Sequence, residues 1–343
     1  MTGSTTTTPT VGVGVIGLGV IGTRHVDHVV NPESPTALVA VHDLDPSRTE
    51  QVAREHGVFA AASLDDLFAR PGVDAVIIAV PSGLHRDVAV AALGAGKHVL
   101  LEKPIDITVA AADAILDAHR AAGTVLTVAS QRRFAPVNLH LRELIDQGRL
   151  GTITSASIDL PFWRSQEYYD SAGWRGTWAM DGGGALMNQG VHLVDLALWL
   201  LGDVDEVYAH TALLAHRDVE VEDTVTITAR LRSGALMTFL ATTAAFDPPP
   251  LRISIAGDRG SVVTTDERFS HHTDGLLDPP ADVVVDADLA DPKRRQLQQL
   301  VDFVEAITAG RAPLVTPEQA RDAVAFIEAV YESGRTGRPV RQA

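Results

Sequence analysis

An apolar strand that runs directly into three spaced glycines constrains this chain more than any other feature. Residues 11–16 are typical of a buried β-strand, and Gly17, Gly19 and Gly22 follow in the pattern Gly-x-Gly-x-x-Gly. In a strand–turn–helix unit, the first glycine permits the tight turn and the second lets the backbone approach a pyrophosphate. The third lets the helix pack closely on the sheet, with its positive N-terminal end towards the phosphates. An ordinary glycine-rich turn before a helix is the alternative; the pattern favours a dinucleotide-binding unit.

A second predicted strand, residues 36–43, supports this interpretation because it ends in an acid. Asp43 lies about 20 residues after the last glycine, where a carboxylate binds the adenosine ribose of a dinucleotide. A carboxylate accepts hydrogen bonds from a free 2′-hydroxyl and repels a 2′-phosphate. Leu44 stands where an NADP site usually has arginine, although Arg48 is close in the sequence. We therefore expect NAD rather than NADP as the cofactor.

Composition indicates a soluble globular protein of about two domains. The chain has 343 residues, of which 45% are hydrophobic and 21% are charged, and its formal net charge is −16. That charge argues against nucleic acid or an anionic membrane as partner, since phosphates bind clustered Lys and Arg. The sequence has no cysteine, which excludes disulfides, thiolate catalysis and cysteine metal sites. No apolar run reaches the roughly 18 residues that a membrane span needs.

The hydrophobic pattern changes part-way along the chain. From residue 11 to about residue 129, continuous apolar strands alternate with helical segments, as in a parallel sheet covered on both faces. Later segments alternate or are rich in β-branched residues, as in antiparallel strands: 152–160, 205–214, 223–232 and 235–244. The predicted fold class is α/β, with an N-terminal Rossmann doubly wound parallel sheet and a C-terminal α/β domain that has a large open, mostly antiparallel sheet.

Three segments are predicted along the chain. A disordered tail covers residues 1–10, the Rossmann domain covers 11–129, and a substrate-binding and oligomerisation domain covers 130–343. The C-terminal helices of the last segment are candidates to pack back on the Rossmann domain. The tail has neither a basic nor an apolar leader region, so we expect a cytoplasmic location.

Lys103 is the first candidate for chemistry, because it directly follows the predicted strand 98–102. Ligands of open α/β sheets bind outside the carboxyl ends of the strands, so Lys103 is expected on the cofactor side. Partial desolvation lowers the pKa of a lysine, which suits proton transfer to or from a hydroxyl. The alternative is a surface lysine that closes a strand.

A predicted helix over residues 184–201 supplies the second candidate group. It is apolar around most of its circumference, yet Asn188, His192 and Asp195 lie on one face at spacings of four and three. Burying three such groups without partners costs several kcal/mol, so they satisfy one another or face a wet cavity. A histidine hydrogen-bonded inside a core is the alternative, but three polar groups together favour a ligand-facing role. We expect no metal site, because these residues lack a third ligand.

A third candidate is an aromatic stretch interleaved with polar side chains. It holds three of the four tryptophans of the chain, and its rings suit the apolar faces of a sugar or cyclitol. An aromatic clasp between domains is the alternative. The aromatic residues are Phe162, Trp163, Tyr168, Tyr169, Trp174 and Trp178, and the polar ones are Arg164, Gln166, Glu167, Asp170 and Arg175.

Taken together, these motifs resemble the Gfo/Idh/MocA family, which includes glucose–fructose oxidoreductase and inositol dehydrogenase. The matching segments run from residue 11 almost to the end of the chain. They are Gly17-x-Gly19-x-x-Gly22-x-x-His25, Ala79-Val-Pro81-Ser82-x-x-His85, Glu102-Lys103-Pro104, Gln131-Arg-Arg133-Phe134, residues 182–192, Val221-Glu222-Asp223-Thr224 and residues 333–340.

The resemblance implies oxidation or reduction of a sugar, glycoside or cyclitol carbon with NAD(H), and a homodimer or homotetramer formed through the C-terminal sheet. It implies Lys103 and His192 as the catalytic pair, with Asn188 orienting the substrate. The cofactor-binding residues are expected to be Gly17, Gly19, Val20, Ile21, Gly22, Asp43, Leu44, Pro81, Ser82, His85, Glu102, Lys103 and Gln131. The substrate-binding residues are expected to be Lys103, Arg133, Phe162, Trp163, Tyr169, Trp174, Arg175, Asn188 and His192.

One position departs from the commonest pattern of the family. Many relatives carry aspartate four residues before the helix histidine, whereas this chain has Asn188. An amide cannot stabilise an imidazolium through charge, so the resemblance gives Lys103 the larger share of proton transfer.

Two other functions remain open at this point: an NAD-dependent glycosidase that works through transient ring oxidation, and a non-catalytic regulator that senses NAD.

Overall fold

The structure is a computed structural model that describes residues 10–272 and 291–342. Residues 1–9 of the predicted tail lie outside this range. The described residues form two compact units. The first holds residues up to Ile105 together with Asp113–Ala129 and Gln296–Pro317, and the second holds Asp106–Ala112, Ser130–Arg295 and the residues from Glu318 onward. The predicted domain limits stay a prediction.

The first unit contains a six-stranded sheet in which every neighbouring pair of strands is parallel. Its strands are β1 (Val11–Ile16), β2 (Thr36–His42), β3 (Phe59–Ala60), β4 (Ala75–Ile78), β5 (His98–Leu101) and β6 (Leu126–Val128). The spatial order of the strands is β3-β2-β1-β4-β5-β6. The chain adds β2 and β3 on one side of β1 and β4 to β6 on the other, so the switch point lies between β1 and β4. This is the doubly wound Rossmann arrangement, in which ligands bind outside the carboxyl ends of the strands near the switch point.

The helices of the first half of the chain are α1 (Val20–Val29), α2 (Pro46–His56), α3 (Leu64–Ala69), α4 (His85–Gly94) and α5 (Val109–Ala122). Local sequence explains where they begin. Asp45 caps α2 by accepting from the Ser47 N–H, with Pro46 in the first turn, and Ser63 caps α3 by accepting from the Asp66 N–H.

The core of the first unit lies between the parallel sheet and its helices. All six residues of β1 are buried, as a strand covered on both faces requires. Leu300, Phe303 and Val304 pack in the same core. They come from α9 (Pro292–Ala309), so a late helix of the chain completes an early sheet.

The second unit contains an eight-stranded open sheet. Its strands are β7 (Ile153–Pro161), β8 (Val204–Ala212), β9 (Thr224–Leu231), β10 (Leu236–Thr242), β11 (Arg252–Gly257), β12 (Ser261–Thr265), β13 (Arg268–His272) and β14 (Val340–Arg341), in the order β13-β12-β11-β7-β10-β9-β8-β14. Only β7 and β10 are parallel neighbours among these described strands. The α/β fold class with a parallel sheet and a mostly antiparallel sheet is therefore confirmed.

The remaining helices are α6 (Pro136–Asp146), α7 (Gln166–Asp170), α8 (Val191–Leu201) and α10 (Pro317–Thr336). The helix predicted over 184–201 is in fact two elements, because a π-helical segment, Ala185–Gly190, precedes α8. Within the described ranges, no helix is long and apolar enough to cross a membrane.

Candidate active site

The turn between β1 and α1 has the geometry of a pyrophosphate cradle. Gly17 has φ +85°, and a Cβ built on Gly22 would lie 1.7 Å from the Gly17 carbonyl oxygen. Both positions therefore need glycine for the fold itself. Gly19 differs, because it has φ −71° and a Cβ there would meet nothing within 4 Å. The open space beside Gly19 fits the approach of a cofactor phosphate, as the sequence predicts.

Apolar side chains stand exposed around this turn. Val20 is 74% exposed, Ile21 is 37% exposed, and Leu44, which follows β2, is 86% exposed. Their exposure fits the positions predicted for cofactor contact, where a bound dinucleotide covers apolar surface.

Asp43 lies at the end of β2, where the ribose of a dinucleotide is bound. Its Oδ2 accepts from the Leu18 N–H at 2.7 Å, and its Oδ1 accepts from the Asp45 N–H at 2.9 Å. Each carboxylate oxygen has a second lone pair, so Asp43 keeps acceptor capacity for a ribose hydroxyl. The half-exposed Arg48 places Nη1 3.5 Å from the same Oδ2. Its charge partly offsets the repulsion of a 2′-phosphate by Asp43.

The loop after β4 carries the predicted residues Pro81, Ser82 and His85. Pro81 and Ser82 are half-buried at the start of a 3₁₀ turn. His85 is 1% exposed, with Nδ1 2.8 Å from the Pro104 carbonyl oxygen and Nε2 3.0 Å from that of Val80. His85 thus joins the loops that follow β4 and β5. Its burial and these contacts give it a role in holding the two loops, and its expected contact with the cofactor stays a prediction.

The loop after β5 carries Glu102 and Lys103. Glu102 is 9% exposed, and its Oε1 lies 2.7 Å from Nε2 of the buried His25 in α1. Its Oε2 accepts from the Lys103 N–H at 3.1 Å. Lys103 is half-buried, and its peptide bond to Pro104 is cis. The glycine-motif helix and the lysine loop are therefore held together by the His25–Glu102 contact.

In the second unit, Asn188 has a buried carboxylate as partner. Asp181 is 4% exposed, and its Oδ1 accepts from the Asn188 side-chain amide at 2.9 Å. Its other oxygen accepts from the Gly176 N–H at 2.7 Å. Asn188 belongs to the π-helical segment, which directly precedes the half-buried His192 at the start of α8. A carboxylate is thus present next to Asn188, although it comes from outside the helix.

A second buried acid holds the glycine loop at residues 182–184. Both oxygens of Glu222 accept from this region, one from the Gly184 N–H and the other from the Leu186 N–H, each at 2.9 Å. The Tyr331 hydroxyl donates to the same carboxylate at 3.1 Å. Burial raises the pKa of Glu222 to about 6, even though these donors act in the other direction. The loop packs too tightly for side chains, since a Cβ on Gly184 would lie 1.7 Å from the Glu222 carbonyl oxygen.

Arg133, one of the expected substrate-binding residues, is paired with a buried acid. It is 1% exposed, and its guanidinium donates to both oxygens of Asp195 at 2.6 and 2.8 Å. Asp195, itself 5% exposed, also accepts from the Ser130 hydroxyl. Asp195 thus neutralises a buried arginine, and the ligand-facing role expected for it stays a prediction. Gln131, half-buried, lies in the second unit at the start of the 3₁₀ turn that carries Arg133.

The aromatic stretch divides into buried and exposed members. Phe162 and Trp163 are 36% and 38% exposed, and Trp174 is half-buried. Tyr169 is 7% exposed, and its hydroxyl lies 2.9 Å from that of Thr243. Burial raises the pKa of Tyr169 to about 12. Tyr169 is therefore a buried residue of the stretch, and its expected substrate contact stays a prediction.

His216, which packs against the aromatic stretch, has a structural role. The ring of His216 lies 4.6 Å from that of Tyr169, and its Nδ1 is 3.0 Å from Oδ2 of Asp223. Burial opposes ionisation of Asp223, but the Ala215 and Leu214 N–H groups and His216 outweigh it and hold its pKa below the ordinary value. Across the described ranges, no group of three His, Asp or Glu side chains forms a metal site.

Two family models match the chain over most of its length. The Oxidoreductase family, NAD-binding Rossmann fold, matches residues 11–130, and the GFO/IDH/MocA C-terminal domain matches residues 138–263. A D-xylose 1-dehydrogenase (NADP(+)) of Haloferax volcanii is 30% identical over 95% of this chain and 98% of its own length. This chain belongs to the Gfo/Idh/MocA family.

Further dehydrogenases match nearly the whole chain. The scyllo-inositol 2-dehydrogenase (NAD(+)) of Bacillus subtilis is 27% identical, and the match covers 95% of each chain. The WlbA dehydrogenase of Bordetella pertussis, solved with NADH and UDP-GlcNAcA, has a TM-score of 0.90 at 29% identity. That match covers 97% of this chain and 98% of the other.

Two acids that hold the candidate site, Asp181 and Glu222, are not predicted from the sequence as site residues. Asp181 is the residue directly before the three glycines, and an acid next to a glycine-rich loop was a signal that could have found it. Glu222 was noted in a family motif, but its contact with a loop 36 residues away was not foreseeable from the sequence.

Proposed function

We propose that Lys103 moves the hydroxyl proton when this NAD(P)-dependent oxidoreductase transfers a hydride to or from a ring carbon of a sugar, glycoside or cyclitol. Curated relatives are named as dehydrogenases of xylose and inositol. The observation that carries the role of Lys103 is its position at the carboxyl end of β5, in the same unit as the glycine turn. The nicotinamide, when bound, supplies or accepts the hydride.

The support for Lys103 comes from its surroundings. Its backbone N–H is held by Glu102, and Glu102 is held by His25 in the helix that follows the glycines. The lysine backbone is thus tied to the cofactor-binding turn. A fixed amine can take the proton of a substrate hydroxyl during oxidation and return it during reduction.

We propose that His192 shares this proton transfer and that Asn188 orients the substrate. The buried Asp181 carboxylate accepts from the Asn188 amide nitrogen, so the Asn188 side chain is held in one orientation. Since the second oxygen of Asp181 is held by Gly176, this orientation is built into the loop before the helix. A fixed amide can hydrogen-bond a substrate hydroxyl, which is the positioning role.

Replacement of Lys103 tests the proposal directly. Lys103→Ala should lower kcat with the active sugar by about 100- to 10,000-fold, because general acid–base catalysis contributes this much. NAD affinity, measured by calorimetry, should stay close to that of the unaltered protein. Lys97→Ala is the matched control, since Lys97 precedes β5 and its Nζ donates to the Val73 carbonyl. Near-normal turnover by Lys103→Ala removes Lys103 from the mechanism.

A double replacement tests whether Lys103 and His192 serve one step. If they do, Lys103→Ala/His192→Ala should be little slower than Lys103→Ala alone, because groups that act as a unit are strongly non-additive. If the fold-loss of kcat in the double variant equalled the product of the two single losses, the two residues would act in separate steps.

The substrate class and cofactor are tested by a panel of inositols, free sugars and glycosides, each with NAD and with NADP. We expect nicotinamide absorbance to change with NAD preferentially, because Asp43 repels a 2′-phosphate. Release of an aglycone without net formation of NADH would instead support a glycosidase. Cofactor binding without turnover of any member of the panel would support a regulator.

A cytoplasmic location and assembly through the eight-stranded sheet are also proposed. The lack of cysteine fits a compartment in which disulfides do not contribute. The outward residues of β9 and β10 include Thr226, Thr228 and Thr238, which are exposed, while their neighbours along each strand are buried. Such a flat face is suited to a symmetric contact with a second copy.

A further inference from the structure

Two arginines in the aromatic stretch share one tyrosine ring. The guanidinium carbons of Arg164 and Arg175 lie 4.3 and 4.4 Å from the ring centroid of Tyr168. Each arginine also lies against a second ring, Arg164 at 4.7 Å from Phe162 and Arg175 at 4.6 Å from Trp174. Contact with two rings restrains each guanidinium, and both positive charges are held against the same tyrosine ring.

These two charges have no acidic partner among the residues that the structure describes. Other half-buried or buried arginines of the second unit do: Arg132 pairs with Glu267, Arg142 with Asp146 and Arg230 with Asp205. The acids closest to the pair in sequence are Glu167 and Asp170, which are exposed, and Asp170 accepts from Gln166. The positive pair is unusual in a chain whose formal net charge is −16.

Most donors of the pair are also unused within the described ranges. Arg175 donates from Nη1 to the Tyr168 hydroxyl at 2.8 Å. The Arg164 guanidinium has no hydrogen-bond acceptor among the described residues, and the Nε atoms of both arginines are buried without one. The buried Nε atoms are closed to a ligand, but both arginines are only half-buried as whole residues. An external acceptor would therefore meet their Nη donors.

We propose that Arg164, Tyr168 and Arg175 form an anion subsite that binds a carboxylate or phosphate group of the substrate. The inference rests on the proposed function, since it concerns the substrate of that reaction. Arginine forks match carboxylate and phosphate oxygens with paired N–H donors. The rings of Phe162 and Trp174 lie beside the charges, where an apolar sugar face can pack. The substrate is therefore an acidic sugar or a sugar bearing phosphate, in preference to an uncharged polyol.

Binding to a matched set of probes tests this subsite without requiring turnover. The probes are D-glucose, D-glucuronate, D-glucose 6-phosphate and UDP-glucuronate, each titrated into the NAD-bound protein by calorimetry. At least one anion should bind more tightly than glucose, by about 10- to 100-fold for a charge-assisted pair of hydrogen bonds. Preference for glucuronate identifies a carboxylate ligand, and preference for the two phosphate-bearing probes over glucuronate identifies a phosphate ligand.

Variants then assign the preference to the two arginines. Arg164→Gln and Arg175→Gln should each reduce the ratio of anion to glucose affinity by about 10-fold or more. Arg217→Gln is the matched control. Arg217 is exposed, and its substitution removes the same charge. Thermal unfolding and NAD affinity establish that each variant is folded. If a variant is unfolded, Arg164→Lys or Arg175→Lys keeps the charge but loses the fork, and should lower the ratio less than a charge deletion.

Two outcomes would overturn the inference. In one, the unaltered protein binds no anion more tightly than glucose; in the other, the preference survives in both arginine variants. Neither outcome touches the proposed dehydrogenase function, which depends on loss of turnover in Lys103→Ala. Conversely, Lys103→Ala with normal turnover would leave the anion preference intact as a binding property.

Discussion

At the residue scale, the chain places a buried carboxylate beside the asparagine that lies four residues before the helix histidine. The commonest pattern that we expect of the family has aspartate at the position of Asn188, four residues before His192. Here the amide nitrogen of Asn188 donates to Asp181, which is buried and also accepts from Gly176. A negative charge in a poorly solvated place acts over several ångströms, so Asp181 can favour the protonated form of the His192 imidazole. We therefore regard Asp181 as a positioning residue.

Asp181→Asn should lower kcat by about 10- to 100-fold, because an amide supplies neither the charge nor a fixed acceptor. NAD affinity should be unchanged, and the acid limb of the pH profile of kcat/KM should move. Asp170→Asn removes an exposed acid of the same unit and is the control. The exchange Asp181→Asn/Asn188→Asp should recover activity, since it returns one carboxylate and one amide. No recovery together with an unmoved pH profile would reduce Asp181 to a structural role.

Other residues were interpretable from the sequence only in part. Asp195 was correctly recognised as needing a partner, since its helix is apolar around most of its circumference. Its partner, Arg133, lies 62 residues away in the chain, and the pairing depends on how α8 packs beside the 3₁₀ turn. In a bidentate buried pair of this kind each charge compensates the other, so removing either one is strongly destabilising.

At the element scale, the strand–turn–helix at the start of the chain makes two kinds of demand on glycine. Gly22 is needed because a Cβ would overlap the Gly17 carbonyl oxygen at 1.7 Å, whereas Gly19 has open space and an ordinary φ of −71°. The first demand comes from the fold and the second from the ligand.

Two alanine variants separate these demands. Gly22→Ala should destabilise the protein by about 3 kcal/mol or more, because backbone atoms must move. Gly19→Ala should change the free energy of unfolding by less than about 1 kcal/mol but weaken NAD binding by about 10-fold or more. Urea unfolding and NAD titration measure the two effects. Equal loss of stability in both variants would contradict the assignment.

The glycine loop of the second unit depends on a carboxylate whose ionisation is opposed by burial. The pKa of Glu222 is raised from 4.5 to about 6, so the folded state binds more protons than the unfolded state between these values. Stability therefore falls as the pH rises through this window. The loss should reach roughly 2 kcal/mol above pH 6, since one pKa unit corresponds to about 1.4 kcal/mol.

Glu222→Gln should abolish this pH-dependent loss. The absolute stability of the variant is expected to be lower, because an amide cannot accept from Gly184, Leu186 and Tyr331 as a carboxylate does. The readout is therefore the change in unfolding free energy between pH 4.5 and pH 6.5. Glu50→Gln is the control, because Glu50 is exposed on α2. Its unfolding free energy should change with pH as that of the unaltered protein does. If the unfolding free energy of Glu222→Gln changed with pH as it does in the unaltered protein, other groups would be its cause.

At the scale of the whole molecule, the exposed face of the open sheet bears on assembly. In β9 and β10, Thr226, Thr228 and Thr238 are exposed and alternate with buried apolar residues. We expect a homodimer or homotetramer that uses this face. Thr226→Lys/Thr228→Lys should favour the monomer, because a symmetric contact places each new charge near its copies. Light scattering after gel filtration measures the mass, and Gln51→Lys on α2 is the control. A monomer before any substitution would refute the proposal.

Much of the fold was predictable because its signals are local. The strands of the first unit are short apolar runs between turns, and Ser63, Asp45 and Pro46 mark the starts of helices. The strands β3 and β11 to β14 and the helices α6 and α7 were not predicted. β14 has only two residues, and the sequence of α6 begins with proline next to a 3₁₀ turn, so its periodic signal is short.

The residues of the candidate site also differ in how far the sequence predicts them. The glycine turn, Asp43 and Lys103 were found from the sequence, because a motif of this type carries its own geometry: strand, turn and helix are contiguous. The burial of His85, Tyr169 and Arg133 was not foreseeable, because each is determined by neighbours distant in the chain.

The sequence by itself determined the class of fold, the nicotinamide cofactor and the kind of reaction, since these depend on short segments whose spacing encodes their chemistry. Only the tertiary structure decided which polar residues face a ligand and which satisfy one another. Asp195 neutralises Arg133, Asp181 holds Asn188, and Arg164 and Arg175 are left facing one tyrosine without an acid. The physical reason is that a buried charge must find its partner in space, and the chain brings that partner from any distance along the sequence.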